Sequence, residues 1–193
     1  MNSQASMMTS TMSSTSSLSG TSSVIAGSFV FQKSSEDNFK IYSGSSLSKG
    51  KKADPEMNVV FDGNKVDLFN ADKKCIATAR RSEKSKRVYY SVTLIKRNCP
   101  VIVVDRKSSF TLMDGTHCRP QLDDKSYSVV DTRNGLALAT FERNTRSFTK
   151  FGVLRLFASH LSTDNLTFLF MNVIILIKLQ RDRDSYNNLS GII

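Results

Sequence analysis

Short apolar stretches separated by turn signals recur from residue 24 to residue 157. The clearest is Val88, Tyr90, Val92 and Leu94, apolar at every second position, which is the period of a half-buried strand. Val24–Gln32, Phe39–Tyr42, Met57–Phe61, Lys65–Phe69 and Cys75–Arg80 read as earlier strands. Val101–Val104, Phe110–Met113, Tyr127–Asp131, Leu136–Phe141 and Val153–Phe157 read as later ones. Asp62-Gly63 and Asn134-Gly135 are hairpin signals, Ser43–Pro55 is a polar loop, and Arg81–Lys86 reads as a charged turn. Roughly ten strands at eight-to-twelve-residue spacing predict a sandwich or barrel.

The pattern changes after residue 162. Ser162-Thr163-Asp164 can cap a helix, with Asp164 at the positive end of its dipole. Leu166–Leu179 then reads LTFLFMNVIILIKL, interrupted only by Thr167, Asn172 and Lys178. A helix over about 164–180 that is apolar on every side must be buried in protein or in lipid. A membrane span needs about twenty apolar residues. This run is shorter, so a buried helix is expected, one long enough to fill a barrel, with a short tail anchor as the alternative. The residues alone thus give a mainly β (α+β) fold, sandwich or barrel, with one apolar C-terminal helix.

Composition supports a packed domain. Of 193 residues, 39% are hydrophobic and 23% charged, with twelve Phe and no Trp, enough apolar mass for a core. Residues 1–23 are different: ten Ser, four Thr and no charge. Such a stretch cannot bury enough to offset its ordering entropy, so a disordered tail is expected there. It lacks the basic start and apolar centre of a secretory signal. Cys75, Cys99 and Cys118 make an odd number, which speaks against a disulfide framework and for reduced thiols. The expected domain is 24–186, with residues 187–193 fraying. A cytoplasmic location follows, peripheral to a membrane or nuclear, and a monomer is expected.

The net charge of +10 is unevenly distributed. Residues 1–72 carry −1 and residues 108–193 carry +2, while residues 73–107 hold eleven basic and two acidic side chains, or +9. Clustered charge makes a strong local field that attracts polyanions: lipid headgroups, anionic membrane surfaces or nucleic acid. The candidate anion-binding residues are Arg80, Arg81, Lys84, Lys86 and Arg87, with Lys96 and Arg97 beside them. If these side chains fall on opposite faces of a strand, they serve solubility and discourage edge pairing instead.

Catalytic chemistry finds little to work with. His117 and His160 are the two histidines, and His117-Cys118 adjacent on a strand would face opposite ways, wrong for a nucleophile–base pair. No Cys-x-x-Cys pair, phosphate-binding loop or dinucleotide motif occurs. Asp123-Asp124 falls short of the six to eight oxygens that calcium takes. No cofactor, metal, catalytic residue or small-molecule substrate is expected.

A many-stranded barrel followed by one apolar helix resembles the tubby C-terminal-like fold of tubby proteins, phospholipid scramblases and plant LURP-one-related proteins. The likeness is sharpest in the second half. Ser109–Thr116, Val129–Phe141 and Phe151–Leu156 followed by the apolar helix and Arg181-Asp-Arg183 look like an uncharacterised fungal branch of that superfamily. There the branch continues after its aspartate-glycine with a Trp-containing strand, whereas this chain reads Thr116-His117-Cys118-Arg119-Pro120. The resemblance implies an antiparallel β-barrel of ten to twelve strands around or against the one apolar C-terminal helix, and a non-catalytic domain. Tubby domains bind phosphoinositides through a basic patch on the barrel, and scramblase-like members associate with membranes. No tubby headgroup residue maps one-to-one onto this chain. The expected function is binding of anionic phospholipid headgroups, phosphoinositides among them, through the basic segment. The alternative is a nucleic-acid-binding or protein–protein adaptor module; stacking on nucleic acid would call on Tyr89 and Tyr90.

Overall fold

The computed structural model describes residues 25–44, 54–95, 101–123, 126–144, 150–157 and 161–190, with backbone only at 150 and 184–190. The Ser/Thr-rich segment 1–23, Lys96, Arg97, Cys99, Asp124 and His160 lie outside the described residues. Twelve strands follow in chain order: β1 (Gly27–Ser35), β2 (Asn38–Ser43), β3 (Met57–Asp62), β4 (Lys65–Asn70), β5 (Cys75–Lys84), β6 (Arg87–Leu94), β7 (Ile102–Val104), β8 (Phe110–Thr111), β9 (His117–Leu122), β10 (Ser126–Asp131), β11 (Ala137–Arg143) and β12 (Lys150–Leu156). One helix, α1 (Thr163–Ser190), completes the fold.

The strands form one antiparallel sheet in the order β7-β6-β5-β4-β3-β2-β1-β12-β11-β10-β9-β8. The sheet curls into a nearly closed barrel. Its end strands β7 and β8 approach within 8 Å at their Cα atoms without forming a ladder. The strands read from the sequence are all present, and the stretch after Asp114-Gly115, which was not among them, forms β9 with Cys118 fully buried. Two turns differ from expectation. Asp62 pairs with Lys65, so the β3–β4 turn is Gly63-Asn64, and Gly63 takes the positive φ of 53°. Arg81–Lys84 is not a turn but the end of β5, because its ladder with β6 continues to Lys84↔Arg87.

Alternation sorts the side chains. Ala77 and Ala79 of β5, and Tyr90, Val92 and Leu94 of β6, face inward and are buried. The helix fills the interior. Every residue from Phe168 to Ile177 is buried, and Cα atoms of α1 come within 8 Å of β5, β6 and β10. The small side chains of Ala77 and Ala79 leave room for this approach. Phe31 of β1 and Phe141 of β11 meet edge-to-face, ring centres 5.3 Å apart, across the intervening β12. Gly152 of β12 permits this, since a Cβ there would strike the Phe141 ring and the Glu142 carbonyl.

At its N-terminus the helix is capped by Ser162, whose hydroxyl accepts from the Asn165 amide at 3.2 Å. Asn165 is itself buried and accepts the Met113 N–H at 3.0 Å. The helix runs to Ser190 rather than stopping near 180. Its polar end needs no burial once the apolar part is anchored. Lys178 and Asp182 pair along it at 2.8 Å, and Arg181 donates to the Glu36 carbonyl on the barrel rim at 2.6 Å. At about 1.5 Å per residue the enclosed part is about as tall as the strands, so the polar remainder emerges from the barrel. No helix among the described residues is long and apolar enough to cross a membrane.

Candidate functional site: a cationic trough at the barrel mouth

Three segments far apart in sequence meet where α1 leaves the barrel. The first is the end of the β5–β6 hairpin. Its eight cross-strand pairs run from Ala77↔Leu94 to Lys84↔Arg87, closed by Ser85 and Lys86 with φ of 52° and 64°. Inward alternation carries past Ala79 to Arg81, which therefore points to the mouth. Its guanidinium lies 3.4 Å from Glu83, a loose pair. Arg87 begins β6 at the rim.

The second segment is the loop between β7 and β8. Asp105 folds it by accepting hydrogen bonds from the amides of Lys107 (2.7 Å) and Ser108 and from the Ser108 hydroxyl (2.6 Å). Burial pushes the Asp105 carboxyl up, but these hydrogen bonds together with nearby Arg87 outweigh it and hold it below the usual carboxylate range. The clasp presents Arg106 and Lys107 over the mouth. Arg106 is steadied by Gln180 of the helix at 3.1 Å.

The third segment is the emerging helix, with Leu179, Asp182 and Arg183. Together the three segments line a cavity of about 420 Å³: Arg81, Arg87, Val88, Asp105, Arg106, Lys107, Leu179, Asp182 and Arg183. A second concavity of about 460 Å³ adjoins it, sharing Arg106, Lys107 and Arg183 and adding Pro120 and Leu122 of β9. The two form one trough. Five cations line its first lobe against two carboxylates, and both carboxylates are already engaged, Asp105 with its loop and Asp182 with Lys178. Arg87, Lys107 and Arg183 have no side-chain hydrogen bond or ion pair among the described residues. Beneath the rim, the buried Tyr90 hydroxyl has no partner among the described residues. Burial first, and then Asp182, push it up to about 12, with Arg81 pulling the other way.

The candidate residues read from the sequence divide accordingly. Arg81 and Arg87 line the trough. Arg80 faces outward on β5, exposed and opposite Lys65 and Ser91, while Lys84 and Lys86 are exposed at the hairpin tip. Lys96 and Arg97 fall outside the described residues. Arg106 and Lys107 belong to the basic segment but were not singled out, and Arg183 lies some eighty residues beyond it. The signal for Arg183 was its place just past the apolar helix, where a chain leaving a barrel must cross the rim. His117 and Cys118 do face opposite ways: His117 is exposed, its ring bonded to Thr111 at 2.9 Å, and Cys118 is buried. Among the described residues no His, Cys, Asp and Glu side chains group to hold a metal.

No family model matches the chain and no curated protein matches it. Among solved structures, the X-ray structure of the Arabidopsis thaliana protein AT5G01750 matches with a TM-score of 0.55. The two are 14% identical, over 80% of this chain and 91% of that one. At this identity the likeness is one of fold.

Proposed function

We propose that this chain is a non-catalytic binding domain that docks anionic phospholipid headgroups, phosphoinositides foremost, in the cationic trough at the barrel mouth. The observation that carries the reading is convergence. Arg81, Arg87, Arg106, Lys107 and Arg183 come from three distant segments and line one cavity whose carboxylates are already engaged. Cations held this close repel one another, an arrangement that an anion relieves. The resemblance to the tubby C-terminal-like fold supports the same reading, since tubby domains bind phosphoinositides. In that role the domain works peripherally, at the cytoplasmic face of a membrane. Each Lys or Arg near an anionic surface contributes about 1 kcal/mol, so five give roughly 5 kcal/mol, or between three and four powers of ten in affinity. Stacking on nucleic acid is less favoured, because Tyr90, one of its two nearby aromatic groups, is fully buried.

Co-sedimentation with vesicles tests this directly. Binding is expected to phosphoinositide-containing vesicles, to weaken steeply as salt rises, and to be absent from neutral vesicles. Equal, salt-insensitive binding to neutral vesicles would overturn it. So would filter retention of single-stranded RNA or DNA at salt concentrations that release the protein from phosphoinositide vesicles, which would favour the nucleic-acid module.

A further inference from the structure

The trough has apolar walls as well as cations. Pro120 and Leu122 face inward on β9 and reach its second lobe, and Val88 and Leu179 line the first. Neutral hydrogen-bond donors are scarce by comparison. The loop amides that would ordinarily cradle a phosphate, those of Lys107 and Ser108, are taken by Asp105. Such a site offers charge and hydrocarbon contact together.

We propose that the trough takes an intact anionic lipid, with the phosphorylated headgroup under the cations and the first carbons of the chain on the wall of Val88, Pro120, Leu122 and Leu179. This rests on the headgroup reading above and names the ligand class more narrowly. The barrel supplies an exit for the chain. β8 pairs with β9 only at His117 and Cys118, so Pro120 and Leu122 lie where β9 outruns its neighbour. The adjoining seam between β7 and β8 has no ladder. A hydrocarbon chain therefore leaves the second lobe without breaking a strand pairing. Pro120 suits that edge because it has no N–H to leave unpaired.

Calorimetric titration of the whole chain separates the two readings. The probes are a short-chain phosphatidylinositol bisphosphate, used below its micelle concentration, and inositol trisphosphate, the same headgroup without a chain. The lipid is expected to bind at least roughly tenfold more tightly, the gain from burying a few methylenes. Val88→Ser and Leu122→Ser are expected to weaken the lipid at least roughly fivefold more than they weaken inositol trisphosphate, and retained inositol trisphosphate binding shows that the variants are folded; equal weakening of both probes would overturn the inference. Equal affinities in the unmodified protein would overturn the inference and leave the headgroup reading standing. Failure of both probes to bind would overturn both.

Discussion

Asn172 sits at the centre of the apolar helix, fully buried, and neither atom of its amide has a partner among the described residues. A buried polar group left unpaired costs about 1–3 kcal/mol. Asn172→Leu, which keeps the side-chain branching and replaces the two polar atoms by methyl groups, is therefore expected to stabilise the fold by about 1–2 kcal/mol, read as a rise of a few degrees in thermal denaturation. A fall for Asn172→Leu and for the smaller Asn172→Ala alike would show that the amide is satisfied, for instance by an enclosed water. In the sequence Asn172 stood out as an interruption of the run, but whether it faced a partner depends on the wall opposite. The same holds at the mouth. Arg80 and Arg81 are adjacent letters, yet one faces solvent and the other the trough. Strand parity separates them, and parity was hidden while residues 81–86 read as a turn. Arg183 was harder still, because its neighbours in space come from the opposite end of the basic segment and from the helix itself.

At the level of elements, apolar periodicity located the strands and the helix because burial on one face, or on all faces, writes a period into the chain. Boundaries were less legible where polar residues continue an element held from elsewhere. β5 extends through Arg81-Ser82-Glu83-Lys84 because β6 is there to pair with it. The helix extends past Arg181 because Arg181 and Gln180 are bonded to the rim. The β5–β6 turn carries a cost: Ser85 and Lys86 both adopt positive φ, which suits Asn-Gly and strains other L-residues. Replacing them by Ser85→Asn and Lys86→Gly is expected to stabilise the protein by about 1 kcal/mol in chemical denaturation. No gain would mean that the hairpin tip is relaxed as it stands.

For the molecule as a whole, strand number left sandwich or barrel open, the apolar run too short to span a bilayer gave a buried helix, and the barrel around it was the expectation that the resemblance carried. The trough did not, because it depends on closure. Only when β7 curls toward β8 does the loop carrying Arg106 and Lys107 reach the helix exit. Closure also divides the basic segment between the two ends of the barrel. Lys73 and Lys74 lie in the β4–β5 turn, where Lys74 shares a pocket with Thr163 and Asp164 at the start of the helix, opposite the mouth. That division permits a charge-matched comparison: Arg106→Glu with Arg183→Glu against Lys73→Glu with Lys74→Glu, titrated with phosphoinositide-containing vesicles. The mouth variant is predicted to lose at least roughly tenfold in affinity, and the opposite-end variant of identical net charge to stay within roughly threefold of the unmodified protein. Equal losses from both would mean that diffuse charge, rather than the trough, draws the protein to the membrane, and would contradict the account.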